Sequence, residues 1–423
     1  VSTPALSPPP PPTALRRAWA GALALFVLAG LTGVLYRFAV AFVWTPDEMG
    51  GLVLGNVRHA HSHLMYFGWA TPALMALIAH AVRRRTGQPI RGIGPILGAV
   101  LALALLAYPP FLLWGYAPAV LGDARLPLSV IAAGLNVIGW YAFAVAYARA
   151  TRDHERDAAL RVFDLALAFL VLSTVGAWGL PLSQAAGIAS EPLKAALTHL
   201  FLDTFSEGWF VLGVLGLAYA AADERRHVPP LWPVLVAAVG VPFTFALALP
   251  AGFVPPLWKG LASVGGGLVG LGLLAAVAVL WRRLGARRSG GLWRIALGLL
   301  ALKATGQICV ALSPGVNWAA FHGLRVLYLH LMLLGFVTLG FFAAAEAAFG
   351  AGPPGAERRA RAMAVAVGLL LATLFPLTGF WPPLLGGEWA LWAAAFAALG
   401  PVLVAACILM PLMRRRPVRQ TFG

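Results

Sequence analysis

Residues 58–85 read RHAHSHLMYFGWATPALMALIAHAVRRR. Between roughly Ala60 and Ala81 the stretch is apolar for about twenty residues, the length a helix needs to cross a bilayer. Arg83–Arg85 close it at one end and three histidines open it at the other. Outward from this stretch the same pattern repeats, with further apolar runs near 18–44, 92–115, 126–148, 162–187, 195–221, 230–250, 256–281, 291–312, 319–349, 360–381 and 388–412. The whole chain agrees: of 423 residues, 60% are hydrophobic and only 11% charged. A soluble fold of this size could not hide that much apolar surface. The expected fold class is therefore an all-α integral membrane protein of about 12 transmembrane helices, organised as a Pro-rich disordered N-terminus (1–14), a single bundle (15–413) and a basic tail (414–423).

The net charge of +16 does not indicate a nucleic-acid partner, because the basic residues fall in short clusters between apolar runs. Arg16–Arg17, Arg83–Arg85, Arg149–Arg161, Arg225–Arg226, Arg282–Arg288, Arg358–Arg361 and Arg414–Arg419 occupy alternate loops. The intervening loops, around Asp47, Asp123, 186–191, 250–255, 314–317 and 381–387, are nearly free of arginine. By the positive-inside rule both termini are cytoplasmic and the helix number is even. This fits a bacterial cytoplasmic (inner) membrane. No convincing cleavage site follows the first run, which reads as a membrane helix rather than a signal peptide. Cys309 and Cys407 lie in apolar runs and form no disulfide framework. No CxxCH, Walker or dinucleotide motif occurs.

The nine histidines divide by depth. His80, His154 and His227 fall near the arginine-rich side and read as solvated. The other six, His59, His61, His63, His199, His322 and His330, fall in the opposite halves of the second, sixth and tenth runs. Ionisable groups at such depth mark function unless paired. His59 and His63, four residues apart, share a helix face, while His61 points elsewhere. An imidazole from each of two helices is what low-spin haem iron needs, and Arg58 or Arg325 would suit its propionates; Arg37 would meet a propionate or Asp47. His199, Asp203 and Glu207 form one stripe of the sixth helix, a candidate ligand set for a non-haem metal (Fe, Cu or Zn), or else a proton or hydrogen-bond path, or ordinary structural polar contacts. Lys303 and Gln307, four apart in the ninth run, read as a proton path, a quinone pocket or an interhelical contact.

Twelve helices with histidines in the second, sixth and tenth resemble the large subunit of haem–copper oxidases and nitric oxide reductases. His61-Ser62-His63-Leu64-Met65-Tyr66-Phe67-Gly68-Trp69-Ala70-Thr71-Pro72 looks like that family's second-helix motif, with His61 at the low-spin haem position. His199 to Glu207 is similar to the sixth-helix motif of the nitric oxide reductases, whose histidine binds non-haem iron. Tyr328-Leu329-His330 resembles the family's histidine–any–histidine pair, with His330 as the second low-spin ligand. Two departures stand out. Tyr328 replaces the high-spin haem ligand, and the seventh helix, Val234 to Pro250, has no histidine.

The resemblance implies a haem b protein handling electrons near the outer face, its usual high-spin haem and CuB or FeB centre lost or rebuilt. A second haem is doubtful, and His59, His63 and His322 remain candidate metal ligands. Its electron partner would be a cytochrome or cupredoxin subunit, or quinol. The alternatives are an unconventional nitric oxide or oxygen reductase, and a non-redox permease or structural subunit. His61 with His330 is the favoured haem pair and His63 the competitor, because the run 60–81 starts His61 at its very end while 319–349 puts His330 about ten residues in.

Overall fold

The computed structural model describes residues 12–222, 228–285, 290–349, 356–382 and 387–414. Most of the proline-rich N-terminus, His227 with Arg225 and Arg226, and the tail beyond Arg414 lie outside these residues. Because hydrocarbon offers no hydrogen bonds to a backbone, each apolar run closes its own N–H···O=C ladder as a helix. The result is α1 (Thr13–Ala41), α2 (Leu54–Thr86), α3 (Ile93–Trp114), α4 (Leu128–Thr151), α5 (Ala158–Ala185), α6 (Glu191–Ala222), α7 (Trp232–Ala248), α8 (Pro256–Leu284), α9 (Gly290–Leu312), α10 (His322–Phe349), α11 (Glu357–Thr378) and α12 (Glu388–Met413). Eleven are long and apolar enough to cross a membrane, and α7 is shorter. The protein is thus an all-α, multi-span integral membrane bundle.

Two boundaries differ from the sequence reading. Helix α1 begins at Thr13, inside the stretch expected to be disordered. Helix α2 begins at Leu54, six residues before its apolar run, because Gly55, Asn56, Arg58 and His59 continue the helix through its polar end. Between α3 and α4 the chain adds a small antiparallel hairpin, β1 (Ala119–Leu121) and β2 (Ala124–Leu126), turning at Gly122-Asp123.

With twelve helices joined by short loops, alternate loops fall at opposite ends, so the bundle has an arginine-rich end and an arginine-poor end. The arginine-rich end is tied by side chains. Asp157 caps α5 by accepting from the Leu160 N–H at 2.9 Å, and its second oxygen pairs with Arg85 at 2.5 Å. Asp164 takes Arg156 at 3.0 Å and the Tyr147 hydroxyl at 2.9 Å. His80, expected to be solvated there, is buried, with both ring nitrogens lacking a hydrogen bond. Its position on the inward face of α2, beside Phe349, explains the difference.

Packing sorts the helices. In α2 83% of the hydrophobic span is buried inside protein and in α6 78%, against 28% in α3 and in α12. Helices α2, α6 and α10 touch one another at the centre, while α1 meets α12 and so closes the outer ring. Helices α7 and α8 approach backbone to backbone through small residues: a Cβ on Gly240 would stand 2.3 Å from the Gly265 carbonyl oxygen.

Candidate functional site

The three central helices are also the three that carry the histidines, and each departs from α-helical winding just past them. A π-helical segment covers Leu64–Ala70 after His63, another Thr204–Val211 after Asp203, and a third Leu331–Thr338 after His330. Among the described residues π-helical turns occur nowhere else. Such widened turns re-aim side chains and gather at functional sites. Here they carry the hydrogen bonds that join the helices: Ser206 Oγ to the Tyr66 hydroxyl at 3.3 Å, Trp69 Nε1 to Thr338 Oγ1 at 3.2 Å, and the Tyr328 hydroxyl to Glu207 Oε1 at 2.7 Å.

His61 and His330 share one arrangement. His61 Nδ1 donates to the Ala29 carbonyl at 2.7 Å, and His330 Nδ1 donates to the Val326 carbonyl at 2.8 Å. A carbonyl only accepts, so each Nδ1 carries the proton and each Nε2 keeps its lone pair. Neither Nε2 has a hydrogen-bond partner among the described residues. The two rings are electrostatic neighbours of each other and of Arg37. Their depths agree better than the apolar runs suggested. His61 is the eighth residue of α2 and His330 the ninth of α10. The His61 ring lies flat on α1 because Gly33 has no side chain: a Cβ there would stand 2.6 Å from Cε1 and 2.7 Å from Nδ1.

Above this pair, at the arginine-poor end, three guanidinium groups gather. Arg325, Arg58 and Arg37 are all electrostatic neighbours of His322, which is exposed at the first turn of α10. None of the three guanidinium groups forms an ion pair or hydrogen bond among the described residues, and Arg37 is half-buried. Guanidinium groups left unpaired in this way could hold a multiply charged anion.

On another face of α10 the acidic stripe meets a different fate. Glu207 is buried and ion-paired: Lys303 Nζ lies 2.9 Å from Oε1, with 0% of Lys303 and 5% of Glu207 side chain exposed. Gln307 Nε2 donates to Glu207 Oε2 at 3.2 Å, and Lys303 also donates to Gln307 Oε1. The Lys303 ammonium sits 5.4 Å over the Tyr328 ring. Glu207, Lys303, Gln307 and Tyr328 thus form a closed, mutually satisfied network between α6, α9 and α10. Asp203 is an electrostatic neighbour of Glu207, Lys303 and Arg325, and His199 of Arg325. Among the described residues no group of three or more His, Cys, Asp or Glu side chains is arranged to hold a metal.

His59 and His63 face away from the His61 pair, toward Tyr116. His63 Nε2 and the Tyr116 hydroxyl are 2.8 Å apart, and the His63 ring stacks on Phe111 with centroids 3.7 Å apart. The His59 ring meets Tyr116 edge-on at 4.8 Å. Loop geometry brings Tyr116 here: Gly115 has φ of +59°, and an added Cβ would meet Asn56 Oδ1 at 2.4 Å.

No motif in the sequence points to Gly33, the Ala29 carbonyl, Tyr116 or the π-helical segments, whereas His61, His330, Arg58 and Arg325 stand out there as candidates by residue type and depth. No protein-family model matches the chain, and no curated protein matches it. The class defined by the fold is therefore the coarse one, a multi-span all-α membrane bundle with a polar, histidine-rich centre near its arginine-poor end.

Proposed function

We propose that the protein is a haem b-binding membrane protein of haem–copper oxidase subunit I-like design that carries electrons near the outer face of a bacterial inner membrane, with both termini cytoplasmic. One observation carries the reading. Two imidazoles from two central helices each have Nδ1 held by a backbone carbonyl and Nε2 left free. That is the form in which histidine binds a metal, since the fixed Nδ1–H sets the tautomer and the ring plane. The donor set fits bis-imidazole haem, and the close approach allowed by Gly33 supports it. When bound, haem supplies a one-electron iron couple.

The chain's own residues do the rest. His61 and His330 would hold the iron through their Nε2 atoms. Arg37, Arg58 and Arg325 would neutralise the propionates. Phe336, Trp69 and Phe341 keep water from the side facing the arginine-rich end. His63 is a weaker candidate ligand, since its Nε2 is engaged by Tyr116. Electrons would come from a cytochrome or cupredoxin subunit, or from quinol, at the arginine-poor end. A catalytic second centre finds less support, because Tyr328 and Glu207, which would line it, are committed to Lys303 and Gln307.

The test is a reduced-minus-oxidised spectrum with haem analysis on the purified chain. One low-spin haem per chain is expected. His61→Ala and His330→Ala should each abolish the bis-histidine spectrum, while His63→Ala keeps it. A normal spectrum in His61→Ala would overturn the pairing, and a preparation from haem-replete cells without bound haem would overturn the function.

A further inference from the structure

The cluster of His59, His63 and Tyr116 plays no part in the haem reading. It is nevertheless built. His59 and His63 lie on one face of α2 at the four-residue spacing that lets two imidazoles share an ion. The His59 ring makes no hydrogen bond among the described residues. The His63 ring plane is fixed by stacking on Phe111. The phenol is brought over both rings by a fixed loop: Ser129 Oγ donates to the Gly115 carbonyl at 2.6 Å, and Asn56 Nδ2 donates to the Leu113 carbonyl at 3.1 Å. Tyr116 itself is 54% exposed, so an ion can reach the cluster from the arginine-poor end.

We propose that His59, His63 and Tyr116 form a binding site for a late first-row divalent transition ion, held by two imidazole nitrogens and one phenolate oxygen. The spacing supports this. Two metal–ligand bonds of about 2.0 Å at about 90° put their donor atoms about 2.8 Å apart. His63 Nε2 and the Tyr116 oxygen stand at 2.8 Å. An ion entering between them replaces the shared proton: the Tyr116 O–H bond breaks, the O–metal bond forms, and the proton leaves to water at the open side. An N,N,O donor set ranks Cu²⁺ first among divalent ions. The site does not depend on haem at His61 and His330.

The experiment uses the full-length protein without an affinity tag, stripped with chelator and titrated with Cu²⁺. One tightly bound Cu²⁺ per chain is expected, with EPR hyperfine structure from two nitrogens and a phenolate–copper resonance Raman signature. His59→Ala should weaken Cu²⁺ binding at least tenfold. Tyr116→Phe should remove the phenolate signature while leaving a weaker two-nitrogen site, and His199→Ala should change neither. His59→Ala is the leading variant because that side chain makes no hydrogen bond whose loss would unsettle the fold. Uptake that does not saturate near one equivalent, or Cu²⁺ held equally well by His59→Ala and Tyr116→Phe, would overturn the proposal. The haem spectrum is recorded on the same samples, so a missing haem and a missing copper site are told apart.

Discussion

The two halves of the central helices α2, α6 and α10 are built on opposite principles. Toward the arginine-poor end they carry six histidines, Arg58, Arg325 and the Glu207 carboxylate that pairs with Lys303 of α9. Toward the arginine-rich end the same helices are packed with Trp69, Trp209, Phe210, Phe336, Phe341 and Leu74, all nearly inaccessible. Aromatic contacts there are close, with Trp69 centroids 5.0 Å from Phe26 and 5.7 Å from Phe341. Among the described residues, the buried side-chain polar atoms of this half that lack a hydrogen bond are Thr71 Oγ1, both His80 ring nitrogens and the Trp209 indole N–H. The π-helical segments lie at the boundary. The difference teaches that the polar groups of these helices gather toward one end, while the other half is a dry, aromatic-rich packing. The electron carrier proposed above, with its partner on one side of a membrane, would use that asymmetry.

The largest expected effect comes from breaking the polar half at its ion pair. Lys303→Met would leave Glu207 buried without a counter-charge, and removing one partner of a buried pair costs about 3–5 kcal/mol. The double variant Lys303→Met/Glu207→Gln should regain most of that loss, because no unpaired charge remains. Thermal unfolding of both in detergent checks this. If the single variant is as stable as the double, Glu207 carries no charge in the protein and the pair is not ionic.

A smaller effect is expected at the seam between α1 and α2. Gly33→Ala places a Cβ 2.6 Å from the His61 ring, and overpacking of this kind costs about 1–3 kcal/mol. The ring must tilt, which would lengthen the 2.7 Å bond to Ala29 and lower haem occupancy. Full haem content with an unshifted spectrum in Gly33→Ala would mean that His61 does not need the close approach.

Much of the fold was legible because membrane helices announce themselves by length and by arginine. The twelve apolar runs come from local sequence, whereas the close approach of α7 and α8 at Gly240 and Gly265 is seen only in the packing. The ends of α2 were not legible, since hydropathy cannot see that Gly55 to His59 continue a helix whose polar groups are satisfied elsewhere. For the same reason His61 seemed shallower than His330, and the structure removes that mismatch. His59 and His63 sharing a face followed from helix geometry alone, but Tyr116 as their neighbour depends on Gly115 bending a loop 52 positions further along. Lys303 and Gln307 were marked as polar groups at depth, with several readings open. Only packing shows that both turn to Glu207. The π-helical segments have no sequence signature at all, being forced by the contacts they serve.

The smallest expected effect lies at the boundary with the dry half. Thr338 ends the π-helical segment of α10, and its hydroxyl does two things there. It donates to the Leu333 carbonyl at 2.9 Å, five residues back, and it accepts from Trp69 Nε1 at 3.2 Å. Thr338→Val keeps the shape and removes both bonds. Interhelical hydrogen bonds in membrane proteins average about 0.6 kcal/mol, and an indole N–H left unsatisfied costs about 1–3 kcal/mol, so the loss should be about 1–2 kcal/mol. That is well below the ion-pair loss, as a half held together mainly by apolar packing requires. The haem spectrum should be unchanged, because neither His61 nor His330 touches Thr338. Unfolding in denaturant together with the spectrum reads both quantities. A loss matching that of Lys303→Met would mean that the two halves are stabilised alike, and the division between a polar half and a dry half would fail as an energetic statement.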